Sequence, residues 1–384
     1  MTAPLREGNR VDLLDSGAEY FPALTAAIES AMQEIFLETY IYAEDATIDG
    51  VTDALARAAR RGVAVRIVID GFGTRDMSPR YRNLLAEAGA TVLTYRPPLW
   101  RQPVRGLRRM HRKLALIDLR VAFIGGINLI DDWNTPDEIP PRYDYAVRVE
   151  GPVVADVAQA AWHLWAITSY ATFRRRQARR PEPMPLPPAA GTVRARFLIR
   201  DNLANRRDIE NAYLAAIDGA RASILLAMAY FLPSTRVHTA LAAAAKRGVA
   251  VRIMFQGQSD HLLLKRAGEY LYRRLHKSGI EVIEYHKSFL HTKVAVIDGV
   301  WATVGSSNLD PFSLLLSREA NLEIFDHGFV ERLGASLEAA IRAGGESVTA
   351  SRVAGLGWWS RMTQWASYRF TRAVIDWLNL AKER

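Results

Sequence analysis

Two stretches decide the fold: residues 111–118, His-Arg-Lys-Leu-Ala-Leu-Ile-Asp, and residues 291–298, His-Thr-Lys-Val-Ala-Val-Ile-Asp. Both follow the pattern H-x-K-x4-D. Each leads into a small-residue turn that ends in Asn, Gly-Gly-Ile-Asn at 125–128 and Gly-Ser-Ser-Asn at 305–308, and the separation of His from Asn is the same in both. In a chain of this composition, the expected number of chance matches to the eight-residue pattern is only about 0.01. The two copies therefore indicate a duplicated half-site.

Each motif contains a short apolar run, Leu114–Ile117 in the first copy and Val294–Ile297 in the second. Runs of this kind are typical of strands that are covered on both faces. Because side chains alternate along a strand, the His and the Lys of each motif point the same way, and the residue between them points to the opposite face. We therefore predict that each half presents one imidazole and one ammonium group together.

The repeat extends beyond the motifs, since Arg61–Ile67 recurs letter for letter at Arg247–Ile253. An alanine-rich helical stretch precedes each copy, and a further helix and strand follow it. This order predicts an α/β fold with a central sheet in each half. Gly62 and Gly248 are suited to ending a helix just before a buried strand.

A basic run at 174–180 is followed by alternating prolines at 181–188. Such a segment is typical of a stiff, extended linker. We therefore predict a first domain at 1–180, a linker at 181–191 and a second domain at 192–345. A C-terminal segment at 346–384 completes the chain.

The composition is that of a globular protein, with 49% hydrophobic and 24% charged residues. The 384 residues contain no cysteine, which excludes disulfides, thiolate metal sites and thiol nucleophiles. The net charge of +9 favours a polyanionic partner, either nucleic acid or an anionic membrane surface. The N-terminus lacks the apolar core of a signal peptide, and no stretch approaches the roughly 20 apolar residues of a membrane span. These features predict an intracellular protein that is soluble or peripheral.

Paired imidazoles, ammonium groups and amides suit phosphoryl transfer, and two sheets packed face to face would bring them to one cleft. A neutral His can attack phosphorus while a protonated His donates its proton to the leaving alcohol. Lys and Asn side chains can donate to the non-bridging oxygens, and carboxylates can orient the imidazoles. The residues assigned to these roles are His111, Lys113, Asn128, Asp144, His291, Lys293, Asn308 and Glu319. Surface salt bridging is the alternative for the two carboxylates, and we expect neither a metal nor a cofactor.

The paired motifs resemble those of the phospholipase D superfamily, and the similarity runs through nearly the whole chain. The stretches 123–128, 144–152 and 301–311 are similar, more narrowly, to bacterial cardiolipin synthases of the short type without N-terminal transmembrane helices. The resemblance implies two pseudo-twofold-related α-β-α domains, each with a central mixed sheet, and an active site at their interface.

The resemblance also implies a ping-pong reaction. One histidine takes a phosphatidyl group from phosphatidylglycerol, releasing glycerol, and a second phosphatidylglycerol attacks the phosphohistidine to give cardiolipin. By this analogy His111 is the nucleophile and His291 is the acid and then the base. Asp118 and Asp298 fill the acidic position of the motif, and we include them in the catalytic set as supports within each half-site. Gly126 stands where the second half has Ser306, so only one hydroxyl is expected near the phosphate.

Two segments are candidates for membrane contact. The cationic stretch 96–109, which carries Trp100, has no counterpart in the second half, and an ordinary surface loop is its alternative. In the C-terminal segment, apolar side chains recur at the spacing of one helix face: Trp359, Met362, Ala366, Phe370, Ala373 and Trp377. Such a helix suits the membrane interface, whereas packing on the protein's own core is the alternative. We predict a peripheral protein on the cytoplasmic face of the cell membrane.

Two other functions use the same residues. A phospholipase D would pass the phosphatidyl group to water and release phosphatidic acid. A phosphodiesterase or nuclease is favoured only by the basic charge, because the aromatic residues do not interleave with basic ones as in a strand-tracking groove. We therefore expect phosphatidylglycerol and an anionic membrane surface as partners, expect no nucleic acid, and make no prediction about oligomeric state.

Overall fold

The computed structural model describes residues 3–96, 109–135, 139–172, 186–201, 204–257, 262–310, 313–314, 316–349, 351–352, 355 and 357–380. The first half comprises β1 (Arg6–Asp15), α1 (Ser16–Glu29), β2 (Glu34–Thr39), α2 (Ala46–Arg60), β3 (Ala64–Asp70), α3 (Pro79–Glu87), β4 (Thr91–Tyr95), β5 (Leu114–Ile117), β6 (Val121–Gly125), β7 (Arg142–Tyr143), β8 (Tyr145–Glu150) and α4 (Val154–Ala171). The second half comprises β9 (Val193–Arg200), α5 (Asp208–Gly219), β10 (Ser223–Met228), α6 (Thr235–Lys246), β11 (Ala250–Gln256), α7 (Leu262–Lys277), β12 (Glu281–Tyr285), β13 (Phe289–Leu290), β14 (Lys293–Ile297), β15 (Trp301–Gly305), β16 (Glu319–Phe325), α8 (His327–Gly344), β17 (Gly345–Ser347) and α9 (Trp358–Leu380).

The two halves have the same sheet. In the first half the strand order is β1-β8-β6-β5-β2-β3-β4, and in the second it is β9-β16-β15-β14-β10-β11-β12, with β17 added at the outer edge. Strands β2, β3 and β4 are parallel, and so are β10, β11 and β12, whereas the pairs that flank the motif strands are antiparallel. Antiparallel pairing of β1 with β9 joins both into one sheet of 15 strands. The predicted α/β class, with a mixed sheet in each of two repeats, is confirmed.

Local sequence explains where the helices begin and end. The Asp45 side chain accepts a hydrogen bond from the backbone N–H of Ile48 at the start of α2, and Ser234 does the same for Val237 at the start of α6. Both helices end next to a glycine with a left-handed backbone, Gly62 at φ +93° and Gly248 at φ +90°. The predicted helix-ending role of these glycines is confirmed.

The halves share a core. Strands β6 and β8 contact β15 and β16 across the interface, and α4 packs against both β5 of its own half and β9 of the other. One buried apolar cluster contains side chains from both halves, among them Val147, Trp165, Val304 and Leu337. Because removing such side chains from water stabilises the assembly, the halves are held together by burial as well as by the sheet. The motif strands β5 and β14 lie inside this shared layer.

Candidate active site

Each histidine is held by a strand of the other half. The backbone N–H of His111 donates to the carbonyl oxygen of Arg318 at 2.9 Å, and the next residue, Glu319, begins β16. In the mirror arrangement, His291 N–H donates to the Tyr143 carbonyl at 2.8 Å, one residue before Asp144. The segment that leads into each motif strand is therefore hydrogen-bonded to the other half.

This crossing pairs each imidazole with a carboxylate from the opposite half. His111 Nδ1 lies 3.1 Å from both carboxylate oxygens of Glu319, and His291 Nδ1 lies 2.6 Å from Asp144 Oδ2. The carboxylates are buried, while the imidazole side chains keep 18% and 14% of their exposure. Because Nδ1 of each ring is used by its carboxylate, Nε2 is the nitrogen that remains for chemistry on a substrate.

The two motif lysines are buried beside the histidines. Lys113 Nζ donates to the backbone carbonyl of His111 at 2.8 Å and lies 5.3 Å above the ring of Tyr40. Lys293 Nζ lies 3.2 Å from Asp144 Oδ2 and 2.7 Å from His291 Nδ1, and it also donates to the His291 carbonyl. The prediction that the His and the Lys of each motif share a face is consistent with these contacts.

Burial and the neighbouring charges set the protonation of the site. Burial lowers the pKa of Lys113 to about 7, and burial together with Lys293 lowers the pKa of His291 to about 3. The pKa of His111 is also lowered by burial, against the opposing charge of Glu319. Burial raises the pKa of Asp144, but Lys293 and His291 outweigh it, so the net shift is downward. In the absence of a bound anion, the shifts of both histidines favour the neutral imidazole.

The two half-sites act on one another electrostatically. Lys293 contributes to lowering the pKa of His111, which belongs to the other half. Asp144 raises the pKa of Lys113, which partly offsets the effect of burial. Charges of each half therefore shift the pKa of a group in the other half-site.

The two predicted asparagines are anchored by their carbonyl oxygens. Asn128 Oδ1 accepts the backbone N–H of Ile41 at 3.1 Å, and Asn308 Oδ1 accepts that of Tyr230 at 3.4 Å. Both residues are buried. An amide that uses its oxygen in this way keeps its NH2 group as a donor.

Ser306 faces a carboxylate. Its hydroxyl donates to Glu319 Oε2 at 2.5 Å and accepts the backbone N–H of Ala320 at 3.0 Å, and the residue is fully buried. At the equivalent Gly126 a Cβ atom would lie 2.3 Å from the Asp144 carboxylate. Ser306 thus orients the partner of His111, while the absence of a side chain at position 126 leaves room for the partner of His291.

The acidic residues that end the motifs lie at the other end of their strands. Asp118 accepts hydrogen bonds from the backbone N–H groups at the start of β2, those of Met32, Gln33 and Glu34. Asp298 accepts those at the start of β10 from Arg221, Ala222 and Ser223. Both have a left-handed backbone, with φ of 51° and 53°, which Asp tolerates better than most residues. This corrects their inclusion in the catalytic set: they fix the strand register and do not contact the imidazoles.

Sequence reasoning missed a second equivalent pair. Asp70 Oδ2 accepts the N–H of Met110 at 2.7 Å, and Gln256 Oε1 accepts the N–H of Leu290 at 2.7 Å. Each thus holds the residue that immediately precedes a motif histidine. Alignment of the repeats through the shared Arg61–Ile67 sequence would have placed the two side chains at the same position.

The duplicated α/β fold with crossed His–carboxylate pairs defines a phospholipase D-like protein. A family model described as "Cardiolipin synthase, PLD-like domain" matches residues 24–165 and 213–341, and the chain belongs to this family. It is 38% identical to cardiolipin synthase B of Escherichia coli K12 over 98% of this chain and 92% of that protein. Against cardiolipin synthase B of Salmonella typhimurium LT2 the identity is 40%, over 97% and 91%. The predicted family and enzyme class, a phosphatidyltransferase, are confirmed.

A solved structure supports the fold. The crystal structure of phosphatidylserine synthase from Haemophilus influenzae Rd KW20 superposes with a TM-score of 0.70, covering 97% of this chain and 94% of that one. Since the sequences are only 16% identical, this likeness concerns the fold alone.

Proposed function

We propose that the protein is a cardiolipin synthase that transfers a phosphatidyl group between two phosphatidylglycerol molecules through a phosphohistidine and releases glycerol. The observation that carries this proposal is the crossed pairing of His111 with Glu319 and of His291 with Asp144. It supplies two equivalent imidazoles, each oriented by a buried carboxylate, which is what a two-step displacement at phosphorus needs. The names of the full-length relatives point to the same reaction.

In the first step, His111 Nε2 attacks the phosphorus of the donor lipid, in the role that the family likeness suggests for it. The N–P bond forms as the bond from phosphorus to the glycerol oxygen breaks. Protonated His291 gives its Nε2 proton to that oxygen, and neutral glycerol leaves. Lys113 and Lys293 stabilise the negative charge on the non-bridging oxygens.

In the second step, the terminal hydroxyl of another phosphatidylglycerol attacks the same phosphorus. Its proton passes to neutral His291 as the new P–O bond forms and the N–P bond breaks. Cardiolipin leaves, with His111 neutral and His291 protonated as at the start. No net proton is gained or lost over the two steps.

The lowered pKa values of the histidines are compatible with this cycle. Burial and the lysines disfavour a protonated imidazole. A phosphodiester anion bound between the rings adds negative charge and raises both pKa values. Protonation of the acid is thereby linked to substrate binding, and Asp144, 2.6 Å from His291 Nδ1, stabilises the imidazolium that results.

The C-terminal helix supports a membrane-associated enzyme. Helix α9 packs against α7 through polar and aromatic contacts: Gln364 donates to Glu269 at 3.1 Å, Thr371 is buried, and the Tyr368 ring lies 4.7 Å from that of Tyr270. Four other aromatic side chains of α9 are exposed, with exposures between 50% and 68% at Trp358, Trp359, Trp365 and Phe370. A helix that buries polar groups and exposes indole rings suits a lipid interface.

We therefore propose that α9 attaches the protein to anionic lipid on the cytoplasmic face of the cell membrane. Arg361 and Arg369 on α9 are exposed and add positive charge to this surface. None of the described helices combines the length and apolar character of a membrane span. The other predicted contact, the stretch 96–109, lies outside the described residues except at its two ends, and Trp377 lies where side chains are not described.

The purified protein should be incubated with phosphatidylglycerol vesicles and the products resolved. Cardiolipin and glycerol in equal amounts support transfer, and phosphatidic acid and glycerol without cardiolipin would show hydrolysis. Cleavage of DNA in a parallel reaction would favour a nuclease. His111→Ala and His291→Ala should each abolish turnover while still sedimenting with the vesicles. Turnover that survives in both variants would refute the mechanism.

A further inference from the structure

We infer that Arg109, together with Tyr40, binds the phosphodiester of the acceptor lipid, one glycerol away from the reacting phosphorus. The inference rests on the proposed function and names what selects the acceptor: an anionic phosphodiester attached to the attacking alcohol. Cardiolipin contains two phosphates joined by one glycerol, so its synthesis places a second anion beside the catalytic centre.

Arg109 lies on the same side of the chain as the catalytic pair. The Arg109 carbonyl accepts the N–H of Arg318 at 2.8 Å, and the His111 N–H donates to the Arg318 carbonyl, so residues 109–111 are extended. In extended chain, side chains two positions apart share a face and are separated by about 7 Å. The Arg109 and His111 side chains therefore leave the chain on one face, at a spacing of the order of that between two phosphates bridged by glycerol.

Aromatic rings orient the Arg109 side chain. Its guanidinium lies 4.4 Å from the ring centre of Phe72, and it interacts with the Tyr40 hydroxyl, where it opposes the effect of burial on the pKa of Tyr40. The Tyr40 ring meets the His111 imidazole edge to face at 4.8 Å. A guanidinium that is stacked on a ring keeps N–H donors in its plane, which is the geometry that two phosphate oxygens require.

The charges around Arg109 leave it able to attract an anion. The nearby carboxylate of Asp70 is buried and accepts the backbone N–H groups of Met110, Phe72 and Gly73. Within the described ranges, no carboxylate forms an ion pair with Arg109. A second cation, Arg75, also lies over Phe72, at 5.1 Å, although Asp76 pairs with it.

The second half has an aromatic ring at the equivalent position. Phe289 precedes His291 by two residues, is buried, and stacks on its imidazole at 5.9 Å. Arg142 lies 5.4 Å over Phe289, but it is buried and donates to the backbone carbonyls of Asp131 and Asn134. The halves therefore differ next to their histidines, with a partly exposed cation in the first and an apolar ring in the second. Acceptor recognition thus falls to the first half.

The test compares an anionic with a neutral acceptor. Phosphatidylglycerol is the donor in mixed micelles, and two products are followed: cardiolipin, and phosphatidylglycerol carrying isotopically labelled glycerol from exchange with the free alcohol. Arg109→Gln removes the charge and the fork of donors, and Arg109→Lys keeps the charge alone. Arg120→Gln, at an exposed arginine in the turn after β5, is the matched control.

We expect Arg109→Gln to lower the rate of cardiolipin formation relative to glycerol exchange by about ten- to a hundredfold, the loss of one or two charge-assisted hydrogen bonds. Phosphatidic acid should rise as water replaces the acceptor. Arg109→Lys should fall between, and Arg120→Gln should match the parent protein.

Equal losses of cardiolipin formation and exchange in Arg109→Gln would overturn the inference, because Arg109 would then serve the shared chemical step or the fold. Unchanged rates of both cardiolipin formation and glycerol exchange would overturn it as well. If the parent protein itself made phosphatidic acid and no cardiolipin, the proposed function would fail first and the inference with it. If the parent made cardiolipin, but Arg109→Gln kept the same ratio of cardiolipin formation to glycerol exchange, the proposed function would stand and the inference would fail.

Discussion

Replacing Lys113 by Met should inactivate the enzyme and yet stabilise its fold at neutral pH. Lys113 is 3% exposed, and its pKa falls from 10.5 to about 7 because burial outweighs the attraction of Glu319. At about 1.4 kcal/mol for each tenfold change in proton affinity, this lowering corresponds to at most about 5 kcal/mol. Met has a similar length, fills the same space and carries no charge. In the variant, Glu319 retains its contacts with His111 and Ser306.

The effect depends on pH in a defined direction. Between pH 7 and 10.5 the unfolded parent binds a proton that the folded parent has released, so the stability of the parent rises with pH in this window. The advantage of Lys113→Met should therefore be largest below pH 7, at about 1 to 5 kcal/mol, and should vanish above pH 10.5. Urea denaturation at several pH values, followed by far-ultraviolet circular dichroism, measures it.

The control for this experiment is Lys246→Met, at an exposed lysine that ends α6, which should change stability little at any pH. A Lys113→Met protein less stable than the parent at pH 7 would refute the reasoning. It would mean that the bond to the His111 carbonyl and the contact with Tyr40 outweigh the cost of burying the charge.

Three further changes test other parts of the structure. Glu319→Gln should lower kcat by about a hundredfold or more, since His111 loses the carboxylate that stabilises its cation. Sedimentation with vesicles should be unaffected, and a near-normal kcat would exclude this role for Glu319. Asp118→Ala should lower the free energy of unfolding by about 1–2 kcal/mol through the loss of its backbone hydrogen bonds, with kcat of the folded enzyme retained; a large loss of kcat at full folding would return Asp118 to the catalytic set. Replacing Trp358 and Trp359 together by Ala should weaken binding to anionic vesicles by roughly tenfold or more while sparing turnover of a soluble short-chain substrate; unchanged binding would argue against α9 as the attachment site.

Local pattern was enough to predict much of the site. Strand alternation placed His111 with Lys113, and residue chemistry identified Asp144 and Glu319 as partners for the imidazoles. The crossing of these pairs depends on long-range register, such as the parallel pairing of β13 with β7, and no local pattern encodes that. Sequence therefore identified the four groups without showing which carboxylate serves which histidine.

Spacing alone misplaced the acid that ends each motif. Asp118 is close in sequence to His111, but a strand of four residues and a left-handed turn carry it to the start of β2. Asp70 and Gln256 were missed for the opposite reason, because they perform one task with different residue types. For α9, periodicity revealed an apolar face, but only packing shows that this face is turned outward, since Gln364 and Thr371 face the protein.

The exchange of carboxylates between the halves has a consequence for how such a chain could arise and diverge. Each of the two His–carboxylate pairs takes one residue from each half. A single copy could therefore work only as a homodimer, in which one mutation would alter both pairs at once. Once the two copies were fused, each pair could change independently. The carboxylate has no side chain beside it at Asp144 and Gly126, whereas it accepts a hydrogen bond from the neighbouring hydroxyl at Glu319 and Ser306. Severing the polypeptide between the halves should yield two inert fragments whose activity returns only on mixing.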